Sequence, residues 1–119
     1  MRNENLKDRT KKFALRVILL TEALPKGRTA DVIGKRLLRS GTSVGANYRA
    51  ACRARSVADF IAKMGIVEEE TDESIYWMEL LVETGLMNKE RLEELMKEAN
   101  EILAIVVTSI KTTKNRKTK

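Results

Sequence analysis

The sequence predicts an all-α protein, an antiparallel up-down-up-down four-helix bundle, and three observations point that way. Apolar residues recur at intervals of three and four rather than two, the spacing of one helical face. Breaking residues are sparse, with one Pro and six Gly in 119 residues. The breaks themselves are short, so consecutive helices must pack as antiparallel neighbours. A chain of this length suffices for one domain and buries roughly two-thirds of its unfolded surface, enough for a core without disulfides or metal. That domain is expected over residues 1–110, followed by a basic disordered tail at 111–119 that contains no apolar residue.

In the first helix Leu6, Phe13, Val17, Leu20 and Leu24 form a stripe that Ala14 and Ile18 widen. The segment Leu24-Pro25-Lys26-Gly27-Arg28-Thr29 ends it, and Thr29 offers a hydroxyl as N-cap for the second helix. There Ile33, Leu37, Val44, Tyr48 and Ala51 recur, with Gly41 in register. Ser56-Val57-Ala58-Asp59 has capping-box spacing with Asp in place of Glu, so a third helix starts after Arg55. Its stripe reads Ile61, Met64, Glu68, Thr71, Ile75, Met78 and Val82. Gly85 suits a left-handed C-cap and Asn88 the next N-cap, with Glu90 and Glu93 near the positive end of the fourth helix. That helix carries Leu92, Leu95, Met96, Ala99, Ile102, Leu103, Val106 and Ile110.

Much chemistry is excluded by composition. The chain has no His and a single Cys, Cys52, which removes triad, Cys-His and HExxH arrangements and any intrachain disulfide. No metal site, cofactor or catalytic residue is expected. Arg16 interrupts the longest early apolar run, no stretch approaches the roughly 20 residues of a membrane span, and the amino terminus lacks a signal-type apolar segment. A soluble cytoplasmic protein without membrane association is the expectation.

The formal charge of +6 is unevenly spread. Residues 1–29 hold eight cations and three acids, residues 30–55 six and one, residues 56–87 one and eight, and residues 88–119 eight and five. One acidic helix in an otherwise basic chain is not the pattern of a uniform nucleic-acid coat.

Two glycines and three hydroxyl residues make the segment from Arg39 to Tyr48 a poor helix by propensity, so packing must hold it. Small residues there admit a close neighbour. A phosphate-cradling loop is the rival, but the strand and the GK[ST] ending of a P-loop are missing. Antiparallel pairing sets Asn47 near Met64 and the glycines against Glu68 and Thr71. The expectation is therefore a structural polar layer of Ser40, Ser43, Asn47, Glu68 and Thr71, with Arg16 as a counter-charge at hand. A catalytic role for Glu68 lacks a cleft and a second group. Lys35, Arg36, Arg39, Arg49, Arg53 and Arg55 form a basic stripe on the second helix. It fits phosphate contact, a solvated face, or salt bridges to the acid-rich run at residues 68–73, within or between subunits. Tyr76 and Trp77 fit core or interface better than a base-stacking platform.

Leu37-Leu38-Arg39-Ser40-Gly41-Thr42-Ser43-Val44-Gly45-Ala46-Asn47-Tyr48, then Ser56 to Lys63 with Asp59-Phe60-Ile61, and finally Glu69 to Leu81 with Tyr76-Trp77-Met78 together resemble a bacterial four-helix-bundle family. That family was first noticed as reading frames in intervening sequences of 23S ribosomal RNA genes and is related to accessory variability proteins of diversity-generating retroelements. The resemblance spans residues 6–110. It implies a homopentameric ring with no established enzymatic activity and, for the retroelement relatives, a basic surface that binds nucleic acid and a reverse transcriptase. Ser40, Ser43, Gly45, Asn47, Ser56, Asp59, Phe60 and Trp77 fall at the family's recurrent positions. Many members carry an acidic residue and Gly soon after the Asn, whereas this chain has Arg49, Ala50 and Ala51.

The function expected is therefore that of a non-enzymatic, ring-forming bundle that binds RNA or DNA. Its contacts would come from Lys35, Arg36, Arg39, Arg49, Arg53 and Arg55, with Lys111, Lys114, Arg116, Lys117 and Lys119 of the tail. The competing expectation is an adaptor or scaffold whose charge asymmetry drives homo-oligomerisation alone. A reverse-transcriptase partner enters by analogy only.

Overall fold

A computed structural model describes residues 5–117 as four helices: α1 (Leu6–Glu22), α2 (Arg28–Cys52), α3 (Val57–Glu83) and α4 (Lys89–Lys117). Three of them start on a polar side chain that accepts from a free first-turn amide. Asn5 Oδ1 takes the Asp8 amide at 2.9 Å, Ser56 Oγ the Asp59 amide at 3.0 Å and Asn88 Oδ1 the Arg91 amide at 3.0 Å. Asp59, shorter than the usual Glu, returns its bond to the amide of Arg55 at 3.1 Å. The start of α2 differs from the expectation. Gly27, at φ 149°, is the N-cap and makes no side-chain bond, so Thr29 lies inside the first turn. At the far end of α3, Gly85 takes φ 77°, which lets the Met87 amide reach the Leu81 carbonyl at 3.1 Å and tucks Met87 into the core.

The core runs along the shared axis, from Phe13, Val17 and Leu20 through Leu37 and Val44 to Met64, Met78 and Leu81, and on to Leu92, Ile102 and Val106. On α3 Met64, Thr71, Ile75 and Met78 of the expected stripe are buried, but its other positions are shifted. Val67, Ser74 and Leu81 are inside, while Glu68 is only half-buried. Apolar Val67 takes the inward place next door, so the carboxylate avoids full desolvation. Ile18, expected to widen the stripe of α1, is 38% exposed.

The anticipated polar layer does not assemble. Ser40, Thr71 and Ser74 are fully buried, but Ser40 meets Ser74, with hydroxyl oxygens 2.9 Å apart, and not Glu68. The Thr71 hydroxyl donates to the Val67 carbonyl at 2.7 Å, and Ser43 donates to that of Arg39 at 2.7 Å. Asn47 Nδ2 donates to the Ser43 carbonyl at 2.8 Å. Each finds an acceptor one turn back in its own helix, which removes the need for a partner across the interface. Arg16 is exposed, and its charge acts on Glu98 of α4 instead.

Gly41 and Gly45 of α2 receive α1, not α3 as expected, while Ser40 does face α3. A Cβ on Gly41 would stand 2.8 Å from Val17 Cγ1, and one on Gly45 would stand 3.3 Å from the Thr10 carbonyl oxygen. The two backbones come together there because neither glycine has a side chain to hold them apart.

Continuing past Ile110, its last buried residue, α4 reaches Lys117, so the expected disordered tail is helical over residues 111–117. Lys, Arg and Thr contain no breaker, and cations suit the negative end of a helix. The side chain of Lys117 and all of Lys119 lie outside the described residues. No helix among the described residues is long and apolar enough to cross a membrane.

The short connections between helices set their directions, and the contacts agree with them. Thr10 lies by Gly45 and Val17 by Gly41, Arg39 meets Glu73 and Ser40 meets Ser74, and Arg9 of α1 meets Glu98 and Glu101 of α4. All neighbours are antiparallel. One end of the bundle therefore gathers the start of α1, the end of α2, the start of α3 and the end of α4.

Candidate nucleic-acid interface

The basic stripe of α2 separates into two halves with different surroundings. In the first half Arg39 spans to α3, its Nη2 2.9 Å from both carboxylate oxygens of Glu73 and 3.1 Å from Glu70 Oε1. That Glu70 oxygen is buried without a hydrogen bond, and the guanidinium supplies its charge balance at ion-pair distance. Glu73 Oε2 also accepts from Trp77 Nε1 at 2.9 Å. The indole N–H, and then Arg39, hold the Glu73 carboxyl below its usual range. Arg36 sits with its guanidinium carbon 5.7 Å from the centroid of the Trp77 ring, a cation–π distance, and Tyr76 meets Trp77 edge-on at 5.0 Å. Lys35 lies 3.8 Å from Asp31 one turn back. All three cations thus have a neighbour within the chain, but only Arg39 meets the acid-rich run at residues 68–73. Glu70 and Glu73 belong to the acid-rich run that the sequence offered as a salt-bridge partner, whereas Ser74 was missed because Glu68 was placed on the inward face.

A further engaged cation ties α1 to α4. Arg9 donates through Nε to Glu98 at 3.0 Å and through Nη2 to Glu98 at 2.7 Å and Glu101 at 2.8 Å. These bonds raise the guanidinium pKa further and hold the Glu98 carboxyl below its usual range.

The second half of the stripe is different. No ion pair joins Arg49 or Arg53 to an acid among the described residues, and the same holds for Lys111, Lys114 and Arg116 on the end of α4. Antiparallel topology brings all of these to one end of the bundle. In the segments that meet there, residues 5–13, 41–66 and 104–117, the acids are Asp8 and Asp59, and Glu98 and Glu101 of α4 reach in to hold Arg9. Asp59 is occupied by Lys63 Nζ at 2.7 Å and by the Arg55 amide, and these lower its carboxyl pKa. The opposite end and middle hold the acids of residues 68–101. The bundle is therefore electrically polarised along its 52 Å axis.

Lys7 and Lys11 of α1 belong to this cationic end and were not singled out from sequence. The available signal was their spacing of four on α1 beside Thr10, and it became legible only once α1 was set against Gly45. With Arg49 they border a cleft of about 430 Å³ between α1 and α2, walled by Ala14 and Ala46. Among the described residues no cluster of His, Cys, Asp or Glu is placed to hold a metal ion.

The model of the 23S rRNA-intervening sequence protein family matches residues 2–108. The chain belongs to that family. A solved structure supports the assignment: a protein of unknown function from the S23 ribosomal protein family of Bacteroides thetaiotaomicron is 39% identical. The match covers 90% of this chain and 99% of that one, with a TM-score of 0.85. No curated protein matches. The intervening-sequence family thus accounts for nearly the whole bundle, including the polarised end up to residue 108, while the last turns of α4 lie beyond the matched span.

Proposed function

We propose that this intervening-sequence protein is a non-enzymatic, ring-forming bundle that binds RNA or DNA through its cationic end. The observation that carries this is the segregation of charge: Arg49, Arg53, Lys111, Lys114 and Arg116 gather at one end with no ion pair to an acid among the described residues. Cations held by carboxylates release little on binding a phosphate backbone, whereas unpaired ones exchange solvent counterions for phosphates. Lys35, Arg36 and Arg39, already held by Asp31, Trp77, Glu70 and Glu73, contribute less than the sequence stripe suggests. Self-assembly draws support from the outer face of α1, where Leu15 is 53% and Leu19 71% exposed. Five copies is the number that the family resemblance implies.

The test is affinity for a structured RNA as a function of salt. For four phosphate contacts, binding weakens about a hundredfold between roughly 50 and 200 mM salt. Removal of residues 111–119 together with Arg49→Glu and Arg53→Glu abolishes it. No affinity at low salt, or affinity untouched by those changes, refutes nucleic-acid binding. An oligomer that dissociates at high salt and never binds RNA indicates a scaffold whose charges serve assembly alone.

A further inference from the structure

The geometry points to the α1–α2 cleft at the cationic end as a seat for one phosphate group, held by Lys7, Lys11 and Arg49. This inference rests on the reading of that end as a phosphate-binding surface, and it gives the surface a defined point of contact.

The cleft has two cationic banks. Lys7 and Lys11, four residues apart, flank Thr10 on α1, and Arg49 stands one turn beyond Gly45 on α2. Thr10 and Gly45 form the helix contact, where a Cβ would lie 3.3 Å from the Thr10 carbonyl oxygen. Close approach of the backbones is what brings side chains from both helices to one concavity.

The chemistry of the lining selects an anion. The Thr10 hydroxyl donates to the Lys7 carbonyl at 3.2 Å and the Thr42 hydroxyl to the Leu38 carbonyl at 2.7 Å, so both neutral donors are already used. What remains is two ammonium groups and a guanidinium, none of them ion-paired among the described residues. Asp8 on the rim is the one acid lining the cleft. A phosphate group offers oxygens on several sides for the guanidinium fork and for both ammoniums.

Amide chemical shifts of the full chain, titrated with inorganic phosphate and separately with a short single-stranded RNA, test the assignment. Two variants of equal charge are compared: Lys11→Gln with Arg49→Gln, and Lys111→Gln with Lys114→Gln. The expected result is saturable phosphate shifts confined to residues 7–14 and 42–49. The cleft variant weakens phosphate binding about tenfold or more and the α4 variant leaves it unchanged. Shifts that never saturate and follow every cation, or equal losses in both variants, overturn the seat. RNA that displaces phosphate from the same amides supports it and identifies the source of the phosphate. Phosphate that saturates the cleft while RNA has no affinity supports the seat and refutes nucleic-acid binding. RNA bound only elsewhere, with the cleft silent to both probes, overturns the seat and leaves nucleic-acid binding intact.

Discussion

A methyl group added at Gly41 and one added at Gly65 would enter different surroundings, although both positions are helical. At Gly41 the new carbon would press against Val17 Cγ1 at 2.8 Å and Cγ2 at 2.9 Å, in the fully buried seam between α1 and α2. Gly41→Ala is expected to destabilise the fold by about 1–3 kcal/mol through overpacking, despite the better helix propensity of Ala. At Gly65 nothing lies within 4 Å. Gly65→Ala is expected to stabilise by about 0.5–1 kcal/mol by restricting the unfolded chain and favouring the helix. Urea denaturation of both variants checks the pair of opposite signs. Sequence showed that small residues in α2 mark a close helix contact, but not with which helix. Composition within one helix says nothing of its neighbour's side, and only the register of α1 resolves it. Glu68 was misplaced for a related reason. A stripe at three and four tolerates a shift of one position, and Val67 with Ser74 completes an equally regular face.

Between elements, the tie of α1 to α4 rests on a cluster that is largely shielded from solvent. The Arg9 side chain is 17% exposed and that of Glu98 21%. Replacing Arg9 by Met leaves Glu98 without its cation and is expected to cost about 1–3 kcal/mol at neutral pH. Because Glu98 is held below its usual pKa, the folded state takes up its proton less readily than the unfolded chain. Its contribution is thus full above the unfolded value of about 4.3 and is lost as pH falls through the lower folded value. The stability difference between the native protein and Glu98→Gln should therefore be constant from pH 7 to about 6 and shrink toward zero in acid. Denaturant titrations at several pH values measure this. In α4 the apolar stripe was legible as far as Ile110, which is buried, but the end of the helix was not. Lys and Thr residues fail to bury anything, yet they do not break a helix that is already nucleated. Deleting residues 112–119 should accordingly change stability by less than about 0.5 kcal/mol.

At the scale of the whole molecule, antiparallel connection sorts charge by end. Each helix alone is a mixture, and a count along the chain shows three basic segments and one acidic one. Folding places the start of α1 beside the ends of α2 and α4, and the cations add together there. The acidic length of α3 meanwhile neutralises Arg39. The fold and family of this intervening-sequence protein were legible in its apolar spacing and in its Ser-Gly-Asn and Ser-Asp-Phe motifs. The division of the α2 stripe was not, since it depends on which cations meet an acid in three dimensions. Position rather than net charge should then govern binding. The most direct measurement compares RNA affinity at low salt between two variants of identical net charge: Arg49→Gln, Arg53→Gln, Lys114→Gln at the cationic end, and Lys26→Gln, Arg28→Gln, Lys35→Gln at the other. Loss of about tenfold or more in the first with little change in the second is expected. Equal losses in both, or a loss confined to the second, would contradict binding through the cationic end.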